Sequence, residues 1–246
     1  MSGKEIVSLN ERIHCLFFIV FTYYKYIMLS DIWTAYNAED SWLPFYCPLI
    51  IWVSTFLYSY LPSKVERQPF HRWYSLHSFH NFGAILLGIT SMYFNDDSVF
   101  NERIPILWSI GYFTIDLLDC GYRRDVIYSA HAIFCLVLGV SNYTTPLSRQ
   151  LRMNSKASLC ELSNGFMHLA KRTRKPIHFV TFALVFTVCR ILWIPYLAKQ
   201  MLDHNMELMD PRIICLGAFY GLNVFWWLKI VKILVTGAKS ETKKLE

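Results

Sequence analysis

Long apolar runs organise this chain, rather than an alternation of apolar and polar faces. They extend roughly from Ile13 to Ser30, Leu43 to Leu61, His77 to Phe94, Ile104 to Leu118, Val126 to Thr145, His178 to Leu197 and Ile213 to Val235. Short polar connections separate them. Wound as helices, such runs cross about 30 Å of hydrocarbon, the shorter ones with help from flanking aromatic residues. A helix of a soluble all-α protein would carry a polar face, and most of these runs have none. The pattern predicts an all-α, multi-pass transmembrane helical bundle.

Composition agrees with that reading. Of 246 residues, 54% are hydrophobic and 17% aromatic, with a mean hydropathy of +0.29. Trp33, Trp42, Trp52, Trp73, Trp108, Tyr112, Trp193 and Tyr196 lie mostly near the ends of runs, where amphipathic rings favour the headgroup level. The net charge of +6 does not point to nucleic acid, because Lys and Arg sit in short loops rather than along one face. The first run contains Lys25, whose long stem can snorkel, and lacks a small-x-small cleavage site; a retained helix is expected rather than a removed leader. Cys15, Cys47, Cys120, Cys135, Cys160, Cys189 and Cys215 form no CxxC pair, so neither zinc nor a disulfide framework is indicated. No linker, low-complexity tract or repeat divides the chain. The expected organisation is two N-terminal transmembrane helices over residues 1–63, a membrane domain over 64–235 and a tail over 236–246.

One further segment, roughly Leu151 to Ala170, is long enough to cross but carries Arg152, Lys156, Glu161 and His168. If it crosses, there are eight spans, and the loops on the side of both termini hold more than twice the Lys and Arg of those opposite. If it does not, the bias nearly vanishes. The positive-inside rule favours eight spans with both termini cytosolic. Lys243 and Lys244 then resemble a cytosolic di-lysine retrieval signal, read by coat proteins, of endoplasmic-reticulum membrane proteins.

Ionisable groups at membrane depth cost at least a few kcal/mol unless they meet a partner or a cavity, so they are the candidates for chemistry. Arg190 lies mid-run and needs a partner, for which Glu161 and Asp116 are the evident carboxylates; a structural ion pair is the plainer role. His77, His80 and Asn81 fall on one helical face, Asp116 and Asp119 are spaced i and i+3, and His131 lies one or two turns into its run. In the eight-span topology His77, His80, Asp116 and His131 share a depth. A histidine beside a carboxylate offers a general base or an acyl-transfer nucleophile, equally a metal pocket, and otherwise interhelical glue. Lys229 and Lys232 read as interfacial anchors, and Pro105 and Pro195 as helix starts or kinks.

The motifs Arg72-Trp73-Tyr74-Ser75-Leu76-His77-Ser78, Gly111-Tyr112-Phe113-Thr114-Ile115-Asp116-Leu117-Leu118 and Tyr128-Ser129-Ala130-His131 follow in order. After them come Glu161-Leu162-Ser163-Asn164-Gly165-Phe166, Cys189-Arg190-Ile191-Leu192-Trp193-Ile194-Pro195 and Leu222-Asn223-Val224-Phe225-Trp226-Trp227. Over roughly residues 64 to 235 this order resembles the TLC-domain family, whose best-known members are the ceramide synthases. The resemblance implies a six-helix membrane barrel around a cavity for an acyl chain. In ceramide synthases, paired histidines and aspartates on the next span support acyl transfer from acyl-CoA to a sphingoid amine. His131 matches one histidine of that pair, Ala130 stands at the other, and Glu161-Leu162-Ser163 replaces the double aspartate. The chain is therefore closer to the small TLC-domain proteins linked to membrane lipid composition.

Two functions follow as expectations. One is lipid homeostasis without a reaction of its own, with acyl-chain lipids bound by Glu161, Arg190 and His80. The other is an acyl-CoA-dependent acyltransferase with His131, Asp116 and His77 as catalytic residues. No cofactor and no metal are expected, acyl-CoA being a co-substrate if the protein is an enzyme. Membrane lipids or acyl-CoA, coat proteins and a homodimer partner are the expected associates, and nucleic acid is not. A transporter is the weaker alternative, since no two spans look related as inverted repeats.

Overall fold

The computed structural model describes residues 30–60 and 69–236. The first apolar run up to Leu29, Lys25, and the Lys243-Lys244 pair lie outside the described residues. The chain divides into two compact units, Met1–Leu43 and Pro44–Glu246. The first contains one described helix, α1, over residues 30–37, on which Trp33 stacks against Tyr36.

The described residues of the second unit form helices joined by short loops and turns. It comprises α2 (Leu43–Tyr60, beginning at the boundary), α3 (Pro69–Phe94), α4 (Arg103–Tyr122), α5 (Val126–Thr144), α6 (Pro146–Gln150) and α7 (Met153–Ala157). A 3₁₀ turn, Ser158–Glu161, leads into α8 (Leu162–Thr173), followed by α9 (Pro176–Phe186), a π-helical stretch Thr187–Leu192, α10 (Trp193–Asp203) and α11 (Pro211–Thr236). By length and apolarity, four described helical rods can cross a membrane: Arg103–Tyr122, Val126–Thr144, Pro176–Asp203 and Pro211–Thr236; Leu43–Leu57 is a shorter apolar helix. The expected span from Leu151 to Ala170 is three short helical pieces rather than one rod. Arg152, with φ 53°, turns the chain sharply before it.

Five rods and the broken α7–α8 run close on themselves among the described residues. α3 packs on α4, α4 on α5, α5 on α11, and α11 on the Pro176–Asp203 rod; that rod meets the α7–α8 run, which returns to α3. Close approach is built into α3. A Cβ at Gly88 would come within 2.9 Å of the Ser155 carbonyl oxygen, and one at Gly83 would collide with the Trp108 ring. Small residues at such crossings let backbones meet.

Lipid tails are as apolar as leucine, so burying apolar surface contributes little cohesion here, and packing and polar ties carry it. The outer surface bears exposed Phe82, Leu86, Leu184, Val188, Leu192 and Leu228, as a lipid-facing wall requires. Trp52 departs from the expected interfacial belt. It is fully buried and packs edge-on against Trp108 and Tyr112.

One buried polar tie was not expected from the sequence. Glu102, fully buried at the start of α4, accepts hydrogen bonds from Ser91 Oγ, Ser155 Oγ and the Ser155 backbone N–H. Arg152 lies 3.8 Å from Glu102 and pairs with Asp97 at 2.5 Å. These contacts fasten α3, α4 and α7 at one end of the ring. Arg103 adds a bond from Nη2 to Tyr143 Oη at 2.7 Å, tying α4 to α5.

Candidate functional site

Arg190 sits on the π-helical stretch, 3% exposed, and points into the bundle. Neither Glu161 nor Asp116 forms the expected ion pair with it. Its guanidinium donates instead to Ser163 Oγ at 2.8 Å, Asn223 Oδ1 at 3.0 Å and Asn164 Oδ1 at 3.2 Å. Asn164 Nδ2 in turn donates to Glu161 Oε2 at 2.6 Å. The positive and negative groups are thus linked through an amide, and one planar fork joins α8, the π stretch and α11. Asn223 is fully buried and also donates to Phe219 O at 2.8 Å.

The π stretch has a local cause. Pro195 has no N–H with which to bond the carbonyl four residues back, Ile191 O, and that oxygen accepts from Tyr220 Oη at 3.3 Å. Cys189 O accepts from Cys160 Sγ at 3.0 Å, and Thr187 Oγ1 from Trp227 Nε1 at 3.0 Å. Single π turns inside helices recur at functional sites, because they re-aim side chains. Here the turn aims Arg190 inward and leaves Val188 and Leu192 facing out.

The histidines assemble around aromatic rings rather than around carboxylates. His77 Nδ1 hydrogen-bonds Tyr112 Oη, and the His80 ring stacks on Tyr112 with centroids 3.6 Å apart. Phe113 follows, 5.3 Å from His80 on one side and 5.9 Å from His131 on the other. His131 stacks on Phe219 at 5.4 Å and meets Trp226 at 5.3 Å. Its Nε2 faces Cys135 Sγ at 3.7 Å, and its buried Nδ1 has no partner. Asp116 is buried one turn before Cys120, whose thiol approaches it at 3.9 Å, and no hydrogen bond joins it to His131. Asp119 pairs with Arg123. The structure therefore brings His77, His80 and His131 into one aromatic chain, and Glu161 to Arg190 through Asn164. It does not bring Asp116 to a histidine.

Inside the ring lies a cavity of about 100 Å³. Its apolar wall includes Phe113, Leu138, Leu197, Met201, Leu216 and Phe219, and Glu161 closes one stretch of it. Phe113, Phe219 and Cys135 are both cavity wall and contacts of His131, so the histidine stands directly behind the wall. The apolar lining suits hydrocarbon, and the volume is that of a short stretch of chain rather than of a whole one. Among the described residues no group of three or more His, Cys, Asp or Glu side chains is placed to hold a metal ion.

Asn223, Asn164 and Ser163 are the site residues that sequence reasoning passed over. Their signal was present: three small polar groups at the levels where two apolar runs meet Arg190.

A ring of apolar helices with a lined interior and inward polar groups defines a multi-pass α-helical membrane protein with an internal cavity. A family model described as the TLC domain matches residues 38–232, and the chain belongs to that family. No curated protein and no solved structure matches the chain.

Proposed function

We propose that this protein resides in the endoplasmic-reticulum membrane and serves lipid homeostasis by holding an acyl chain of a membrane lipid inside the helical ring. The apolar cavity between α4, α5, α10 and α11 is the observation that carries this reading. Family membership supports the link to lipids. The excess of Lys and Arg in alternate loops supports cytosolic termini, and Lys243-Lys244 supports residence in that membrane. The two spans over residues 1–63 precede the barrel in this proposal.

Glu161, with Arg190 behind it through Asn164, supplies the polar boundary of the chain site, and His80 stiffens the neighbouring wall through Tyr112. A second reading, acyl transfer from acyl-CoA, rests on the His131 Nδ1, buried beside the cavity with no partner. In that reading His131 accepts the proton of the attacking group. Asp116 and His77 act through their surroundings, since neither touches His131.

Re-expression in cells lacking the protein tests both. Wild type, Leu216→Trp, which fills the cavity, and His131→Ala are compared by lipidomics at equal folded level. Binding without chemistry requires that Leu216→Trp fail to restore the lipid profile while His131→Ala restores it. Failure of both variants favours acyl transfer, and restoration by Leu216→Trp rules out the cavity as the working site.

A further inference from the structure

The cavity wall is not uniformly apolar. Ser109 on α4, Ser141 and Asn142 on α5 and Asn154 on α7 all contribute to it, and none of their side chains is hydrogen-bonded among the described residues. Asn154 is 9% exposed, and its Nδ2 is buried without a partner. An amide nitrogen left unpaired at that depth costs about 1–3 kcal/mol, so its retention in the wall points to a ligand acceptor.

Ser109, Ser141 and Asn142 lie at one level, and Asn154 lines the same cavity from α7. α4 and α5 run antiparallel, and a Cβ at Gly139 would come within 3.0 Å of Ile110 Cγ1, which sets residue 139 beside residue 110. Ser109 therefore faces the Ser141–Asn142 turn. Cys135 and Phe113, the contacts of His131, lie about one to two turns away toward Glu161. Beyond the polar band, Arg212 closes the same end of the cavity.

Arg212 is the charged residue that lines this end, and it is already neutralised. It donates to Asp210 Oδ1 from its backbone N–H at 2.8 Å and from Nε at 2.7 Å, and its Nη2 bonds Asp210 Oδ2. Nη1 is turned to Thr145 Oγ1 at 3.0 Å. These hydrogen bonds hold Asp210 at about 2, so the pair stays ionised and balanced at physiological pH. A carboxylate or phosphate headgroup would have to displace Asp210, whereas a carbonyl or hydroxyl needs only the uncommitted Ser and Asn groups.

We infer that Ser109, Ser141, Asn142 and Asn154 form a headgroup subsite for an uncharged, hydrogen-bonding lipid, an ester or amide with free hydroxyls. Its chain runs from that band toward Phe113, Phe219 and Glu161. The assignment rests on the chain-holding cavity proposed above and adds the polarity of its ligand and the direction in which it lies.

The test uses full-length protein in detergent and three tritiated probes with one chain: 1-oleoylglycerol, oleate and oleoyl-lysophosphatidylcholine. Wild type binds 1-oleoylglycerol at least tenfold more tightly than the other two. Asn154→Leu and Asn142→Leu each weaken that binding roughly fivefold, about one hydrogen bond, and leave oleate unchanged. Asn142 is half-buried, so its variant keeps the test decisive if Asn154→Leu fails to fold. Equal affinity for the three probes, or variants that change nothing, overturns the subsite and leaves the cavity standing. Absence of saturable binding of any probe to folded wild type overturns the cavity reading and the subsite with it.

Discussion

Replacing Arg190 by alanine removes the donor of three hydrogen bonds that tie α8, the π-helical stretch and α11. Interhelical polar contacts in membranes average about 0.6 kcal/mol, which sets a floor near 2 kcal/mol for three. Bonds to a charged group in a protein core contribute about 1.5 kcal/mol or more, which gives about 5 kcal/mol. The truncation also leaves Asn223 Oδ1 and Asn164 Oδ1 buried without that donor, so the cost falls in the upper half of the range. At about 2–4 °C per kcal/mol for a chain of this size, the melting midpoint drops by about 10 °C. Heating the detergent-solubilised protein and following the monodisperse fraction by fluorescence-detected size exclusion measures this. Arg190→Lys recovers less than half of the loss, because one ammonium cannot reach three oxygens spread over a planar fork. Asn223→Ala shows a smaller drop of the same sign. Midpoints within 1–2 °C of wild type for both Arg190→Ala and Asn223→Ala would refute the view that this fork holds the ring together.

Other substitutions probe other parts of the account. Gly88→Ala brings a methyl group against the Ser155 carbonyl and costs about 1–3 kcal/mol, visible as a lower midpoint in the same assay, whereas Gly165→Ala, with open space around it, changes little. Burial pushes the Glu102 carboxyl above its ordinary value of 4.5, against the opposing pull of Ser155, Ser91 and Arg152. Because the folded value is the higher one, stability falls as pH rises from about 4.5 through the folded value. Glu102→Gln flattens that fall, and a pH–stability curve parallel to wild type would contradict it. Leu216→Trp lowers binding of a tritiated oleoyl probe at least tenfold while the melting midpoint stays close to wild type; undiminished binding would place the chain elsewhere.

Sequence alone located most of the described helices. Continuous apolarity marked α4, α5, α9 to α10 and α11 within a few residues, because a rod crossing lipid needs hydrophobic residues on every side. The π stretch was not legible, since it arises from Pro195 and the tertiary bonds to Cys189 O and Ile191 O. The partners of Arg190 were misjudged for an instructive reason. Opposite charge is the obvious search, yet in a low-dielectric interior a guanidinium can be satisfied by neutral oxygens while a carboxylate one hydrogen bond away balances its charge. Glu102 drew no expectation and Arg152 stood only among the charges of the Leu151–Ala170 segment; folding is what brings the two to face each other. The expectation that His77, His80, Asp116 and His131 share a depth came from the eight-span topology, and the Tyr112 and Phe113 rings that connect the three histidines were not legible in it.

The most direct test of the central claim is to photolyse the purified protein with a diazirine-bearing oleoyl lipid and to map the adducts by peptide mass spectrometry. Adducts on the cavity wall at Leu138, Leu197 and Leu216, suppressed by excess unlabelled lipid, are the expected result. Adducts confined to the outward-facing Phe82, Leu184 and Leu228, and indifferent to competition, would contradict an acyl chain held inside the ring.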